Sequence, residues 1–293
     1  MLSAKGSVAF SKAIEGRLFF SAESEEGWKI CTMEEGAPYR PVVFDQPLES
    51  DAIGPSLIRT AKGYLMGVAV ESGNPPKRVI EFAESESLDG TWHVLESSYS
   101  PTFSWEGRRI DLGPGSFVDK DSANFFYSSV YPRWSQMVGR LVRHPMLPTS
   151  RNLRRLVRRR IGILTFSLED RTVKASPEPI GIPSKEGTLS ESLFCPGYLD
   201  LGTRSLLFPA GSHYSMGYPY RQAILCCESS DRLRWGEPLV LIDDDDLPMG
   251  GPASFDWADP VPNPDGSITL YFSAFPRKSA RWSIFKCEMR ASQ

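Results

Sequence analysis

The sequence predicts an all-β protein, a single five-bladed β-propeller spanning residues 1–293, with a short helical insertion in its third repeat. Three observations carry that prediction. A block of short apolar strands recurs five times, glycine and proline stand at 24 each among 293 residues, and helical periodicity is confined to one segment. Two average domains would fit this length, but all-β chains of the size commonly fold as one unit. Hydrophobic residues make up 41% and aromatic residues 11%, enough for a sizeable core, so global disorder is excluded.

The recurring unit is a Gly/Cys-Pro-small step, a short strand, a turn, a strongly apolar strand, a loop and a further apolar strand. The first copy, GSVAFSKAIEGRLFFSA from Gly6, lacks the proline. The others are GPSLIRTAKGYLMGVAV from Gly54, GPGSFVDKDSANFFYSSV from Gly113, CPGYLDLGTRSLLFPAG from Cys195 and GPASFDWADPVPNPDGSITLYFSAF from Gly251. Third strands follow as WKICTME, RVIEFAES, IGILTFSLED, AILCCESSD and SIFKCEM. Two of them run into similar turns, Ser87 to Trp92 and Ser229 to Trp235, ahead of fourth strands such as HVLES and PLVLI. Trp92, Trp235 and His93 then belong to the outer, packing part of their blades.

Closure follows from burial. A four-stranded sheet apolar on both faces is stable only between neighbours, so the array must form a ring. Pro55, Pro114, Pro196 and Pro252 are 59, 82 and 56 residues apart, which fits one blade per interval with one long insertion. No fourth strand is evident after Met289, and the N-terminal segment is expected to supply it and latch the ring. Asp259-Pro260 falls in an insertion of the last unit and reads as a turn.

In such a blade the innermost strand starts at the axis on one face, and the loop between the second and third strands opens on that same face. The functional face is therefore lined by residues 44–54, 99–113, 181–195 and 243–251 between blades, and by residues 72–77, 130–160, 212–221 and 275–281 within them.

With these residues in place the chain resembles the five-bladed glycosidase clan that includes glycoside hydrolase families 43 and 32. The Ser-x-Asp-Gly-x-Trp turn at Ser87 to Trp92 is similar to the clan's blade turn. Phe194-Cys195-Pro196-Gly197 resembles the Glu-Cys-Pro step that carries the acid in family 32. The resemblance implies three carboxylates at the starts of inner strands: two directly before proline, and an acid two residues before it. Here Gly54, Gly113 and Phe194 stand at those positions. None of the three transfers a proton, and glycoside hydrolysis needs a paired acid and base.

Displaced carboxylates lie close by: Asp51 four residues before Pro55, Asp111 three before Pro114, and Glu191 five before Pro196. With His213, whose ring titrates near neutrality, these are the candidate catalytic residues. The candidate ligand-binding residues are Trp105, Arg109, Cys195, Tyr214, Tyr218, Tyr220, Arg221 and Trp257, as rings that stack or hydrogen-bond and arginines that clamp an anion. Each has a bland alternative in loop packing or a structural ion pair, as between Arg109 and Asp111.

No metal site and no cofactor is expected. The three histidines are scattered, and the five cysteines show no ligand spacing. Cys31, Cys226, Cys227 and Cys287 sit in apolar runs as small core fillers. Asp243 to Asp246 lack the glycine-interrupted pattern of a calcium loop.

Between Arg133 and Arg160 there are nine arginines and no acidic residue, leaving 24 basic against 36 acidic groups elsewhere. Apolar residues at helical spacing, broken by Pro145 and Pro148, predict a helical hairpin at 133–160. It is either a solvated lid or a dock for an acidic protein partner or an anionic ligand. Nucleic acid is disfavoured, because base-reading modules and aromatic platforms are absent. There is no transmembrane or signal pattern, so a cytoplasmic location is expected.

The leading expectation is an enzyme that binds a small polar or cyclic substrate in the axial pocket. Its step would be non-hydrolytic, a cyclisation, elimination or isomerisation in secondary metabolism. The alternatives are a glycoside hydrolase with displaced carboxylates and a non-catalytic carbohydrate-binding or scaffold module.

Overall fold

The computed structural model describes residues 6–48, 51–72, 77–130, 138, 142, 158–185, 187–213, 221–248 and 250–290. Within them the chain forms five antiparallel blades, numbered here in chain order. Blade one is β1 (Val8–Ile14), β2 (Arg17–Ser24), β3 (Gly27–Glu34) and β4 (Arg40–Pro41). Blade two is β5 (Ala52–Thr60), β6 (Gly63–Ser72), β7 (Lys77–Ser85) and β8 (His93–Tyr99). Blade three is β9 (Arg109–Asp119), β10 (Ser122–Val130), β11 (Ile161–Ser167) and β12 (Val173–Ala175). Blade four is β13 (Ser192–Asp200), β14 (Ser205–Ser212), β15 (Gln222–Ser229) and β16 (Leu239–Ile242). Blade five is β17 (Ala253–Pro262), β18 (Ile268–Pro276) and β19 (Ser283–Met289).

The strand sequences explain their places. β10 is buried from Ala123 to Val130 and reads as a near-continuous apolar run, as a strand covered on both faces must. β8, at a blade's outer edge, is exposed or half-buried from His93 to Ser98 and buried only at Tyr99. Blades two and three merge into one eight-stranded sheet through a parallel pairing of Arg78 with Arg109. That seam sets two arginines from different blades side by side, and of the two, Arg78 lines the axial pocket.

Each innermost strand is interrupted by a bulge in its pairing with the second strand. A bulge bends the strand and re-aims a side chain. At four of the five bulges a residue takes the left-handed conformation: Phe10 (φ 59), Gly54 (φ 66), Cys195 (φ 44) and Trp257 (φ 54). Only one of the four is glycine, so the fold spends backbone strain on the rim of its own axis. Inner strands also touch backbone to backbone. A Cβ on Gly197 would lie 1.8 Å from the Ala258 carbonyl oxygen, so only glycine fits there.

Closure runs from blade one to blade five. Lys12 Nζ pairs with Asp259 Oδ1 at 2.9 Å, and the Ala13 amide donates to Asp259 Oδ2 at 2.6 Å. Trp257 Nε1 donates to the Ser11 carbonyl at 2.7 Å, Phe10 N to Ser273 Oγ at 2.7 Å, and Val8 N to the Trp282 carbonyl at 3.2 Å.

One expectation is corrected. Asp259-Pro260 is not a turn within an insertion: both residues lie inside β17, and Asp259 is fully buried in the closing ion pair. The segment before Gly6, expected to latch the last blade, lies outside the described residues; β1 is the innermost strand of blade one, and blade five has three strands among the described residues. Asp243 to Asp246 form a 3₁₀ turn with a capping box, in which Asp243 accepts from the Asp245 amide and Asp246 accepts from the Asp243 amide. These charges are used in backbone capping. The insertion read at 133–160 lies outside the described residues except for Val138, Val142 and Arg158 to Arg160.

Candidate active site

The five bulges surround an axial pocket of about 360 Å³, at the small end of ligand-sized cavities. Its wall has two chemically distinct sides. Phe10, Trp28, Trp257 and Trp282, from blades one and five, make an aromatic side. Glu71, Arg78, Asp111, Arg159 and Asp256, from blades two, three and five, make a charged one, with Asp51 at the rim and Cys195 between.

Asp111 is the third residue of β9, beside the seam of blades two and three. Arg78 donates to its Oδ1 at 2.5 Å and to Glu71 Oε1 at 3.1 Å, and Arg109 donates to the same Glu71 oxygen at 2.7 Å. Two arginines and two carboxylates thus form a chain, Arg109, Glu71, Arg78, Asp111. Burial pulls the Arg78 guanidinium down, but the pairing with Asp111 and Glu71 more than offsets it and holds it above its ordinary value. Arg78 Nε is buried and has no hydrogen-bond partner among the described residues.

Asp256 stands one residue before the blade-five bulge. Burial pushes its carboxyl up to about 7; the Arg159 guanidinium opposes the rise and the Asp111 charge adds to it. Its Oδ1 is sealed from solvent with no hydrogen-bond partner among the described residues. One carboxyl is therefore raised towards neutrality by burial while the other is paired with a guanidinium, two settings that acid–base chemistry can use for different roles.

Cys195 occupies the blade-four bulge and is buried. Ser128 Oγ accepts from its backbone amide at 3.3 Å and lies 3.6 Å from its Sγ. Burial and the nearby Asp256 and Asp111 charges raise this thiol well above its usual range, so it is a poor source of thiolate. Arg159 is anchored to blade four: its amide donates to Ser192 Oγ at 2.9 Å, its carbonyl accepts from Leu193 N at 3.3 Å, and its guanidinium lies 4.3 Å from the centre of the Phe194 ring. The Phe194 ring is thus a platform for a cation.

The structure brings Asp51, Asp111, Cys195 and Trp257 to the pocket wall, and Arg109 to the charged chain behind it. Asp51 is exposed at the rim and accepts from the Trp28 amide at 3.0 Å. Glu191 lies elsewhere, on a 3₁₀ turn (Leu189–Glu191), 3% exposed, accepting from the Gly187 amide and 3.8 Å from Arg158 Nε. Trp105 packs on Tyr127 within blade three, beside the buried Glu106. Arg221 pairs with Asp243 at 3.3 Å. His213 is half-buried at the end of β14 and is not part of the pocket wall. Tyr214, Tyr218 and Tyr220 lie outside the described residues.

Sequence reasoning missed Asp256, Glu71, Arg78, Arg159, Phe10, Trp28 and Trp282. A signal for Asp256 was present. Aligning the five units on their inner strands, rather than on Pro252, makes Trp257 the counterpart of Gly54 and Cys195 and puts Asp256 beside it. Among the described residues no group of three or more His, Cys, Asp or Glu is arranged to hold a metal ion, and no helix is long and apolar enough to cross a membrane.

No protein-family model matches the sequence, and no curated protein matches it. Solved structures do match, and they include glycoside hydrolases of family 43. An exo-1,5-α-L-arabinanase from a bovine ruminal metagenomic library aligns over 100% of this chain and 97% of its own, with 12% identity and a TM-score of 0.61. An endo-arabinase from Bacteroides thetaiotaomicron aligns over 99% and 96%, with 13% identity and a TM-score of 0.62. The Cellvibrio cellulosa α-L-arabinanase complexed with arabinohexaose aligns over 99% and 94%, with 9% identity and a TM-score of 0.60. At these identities the likeness is one of fold, and the fold is that of the family 43 propellers.

Proposed function

We propose that this protein cleaves a glycosidic bond of a small carbohydrate-type substrate held in the axial pocket, with Asp256 as proton donor and Asp111 as its ionised partner. The observation that carries this reading is the pair itself. Asp256 is held near pH 7 by burial, and Asp111 is fixed by Arg78 at 2.5 Å. A glycosidic bond breaks when its leaving oxygen is protonated while a carboxylate on the other side activates water or attacks the sugar. Two carboxyl groups in different settings, one raised by burial and one paired with Arg78, line the same small cavity and supply the two kinds of group that this chemistry uses. Arabinanases of the same fold favour a carbohydrate over other polar rings.

Hydrolysis replaces the non-hydrolytic step as the preferred reading, because the solved structures that share this fold include arabinanases. The test is a panel of α- and β-linked pentosides and hexosides, assayed with wild type, Asp111→Asn, Asp256→Asn and Glu191→Gln. Turnover is expected to fall by about 10²–10⁴-fold in the first two variants and to stay within a few-fold of wild type in the third. No turnover on any member, or full turnover by Asp256→Asn, refutes the assignment.

A further inference from the structure

The aromatic side of the pocket is more than the charged chemistry requires. Phe10 lies at the centre of it, with ring centroids 6.0 Å from Trp28, 5.7 Å from Trp257 and 5.8 Å from Trp282. Phe10, Trp28 and Trp282 are half-buried, so part of each ring is left open, whereas Trp257 behind them is 1% exposed. Large rings left partly open in a concave wall mark a surface that a ligand covers. Backbone cost points the same way. Phe10 and Trp257 both hold left-handed φ, at 59° and 54°, where bulky side chains are outliers. Glycine does the same job at Gly54, so the fold tolerates a strained position without a ring. Of the two rings at the other positions, that of Trp257 also serves closure through its bond to the Ser11 carbonyl, whereas the half-buried ring of Phe10 has no such hydrogen bond to make and is an addition to what the backbone there demands.

We propose that the substrate carries a planar apolar group, an arene or a similarly flat ring, seated against Phe10, Trp28 and Trp282, while its sugar faces Asp111 and Asp256. The substrate class is therefore an aryl-type glycoside. A bare oligosaccharide would leave the aromatic side covered only by sugar faces. This inference rests on the axial pocket being the ligand site, as under the proposed function, but not on cleavage.

The distinguishing experiment uses non-cleavable probes, matched phenyl and methyl 1-thioglycosides of pentoses and hexoses. Each is titrated into the full-length protein by calorimetry and by tryptophan fluorescence. At least one phenyl member is expected to bind about tenfold or more tightly than its methyl counterpart, with a change in tryptophan emission. That advantage is expected to vanish in Trp282→Leu and in Trp28→Leu, which sit in the wall without the left-handed backbone of Phe10. Equal binding of phenyl and methyl members, no binding of any phenyl member, or an aryl preference untouched by both variants overturns the proposal. Aryl binding without hydrolysis of the matching oxygen glycosides would keep this inference and remove the catalytic one.

Discussion

Replacing Asp256 by asparagine removes one ionisable proton from the axis and keeps the side-chain shape, so its effect on stability is governed by pH. The ordinary carboxyl value is 3.8 and the folded protein raises it to about 7. Between those values the folded chain keeps a proton that the unfolded chain has released. The contribution to stability is therefore complete below the unfolded value and is lost as pH rises through 7. At 1.36 kcal/mol per pH unit the whole rise corresponds to about 4 kcal/mol, of which about 3 kcal/mol falls between pH 4.5 and 8.5. The uncharged amide of the variant has no such dependence. The melting temperature of Asp256→Asn relative to wild type should therefore climb by roughly 6 °C from pH 4.5 to 8.5, at about 2 °C per kcal/mol for a chain of this size. Thermal unfolding of both proteins across that range is the assay. Taking the difference between them cancels the titrating groups that do not interact with Asp256. A difference that stays constant within about 1 °C would show that Asp256 ionises as an ordinary carboxyl, and the acid role would fall with it.

Two further predictions concern the ring. Lys12→Met strands the buried Asp259 carboxylate and should destabilise the protein by about 3–5 kcal/mol in denaturant unfolding; adding Asp259→Asn should recover part of that loss, and an unchanged midpoint in the single variant would show that closure does not depend on the pair. Gly197→Ala places a carbon 1.8 Å from the Ala258 oxygen and should abolish soluble folded protein, while Gly236→Ala, whose nearest contact is 3.6 Å, should express like wild type.

The blades were legible because each repeats the same physical pattern, short apolar strands punctuated by Gly-Pro and Cys-Pro steps. Burial of two-faced sheets then dictates a ring. Asp111 was legible for the same reason, standing just before such a step. Asp256 was hidden by the proline that anchored the comparison: Pro252 precedes β17, and the bulge sits five residues later at Trp257. Phe10 was hidden because its copy carries no proline at all. Arg78 and Glu71 belong to a chain of ion pairs reaching across the seam of two blades, and no local spacing encodes a contact such as that of Arg78 with Asp111, 33 positions apart. Glu191 looked equivalent to Asp111 in sequence, yet a short 3₁₀ turn folds it back onto the Gly187 amide. Small differences in loop geometry, invisible in a repeat pattern, decide which carboxylates reach the axis.

The most direct measurement is the pH dependence of kcat/KM on a glycoside with a poor leaving group, for wild type and Asp256→Asn. The acid limb reports the group that must be ionised and the alkaline limb the group that must be protonated. A protonated Asp256 predicts an alkaline limb near pH 7 in wild type and its disappearance, with the activity reduced, in the variant. An alkaline limb that persists unchanged in Asp256→Asn would contradict the assignment of the proton donor at the axis.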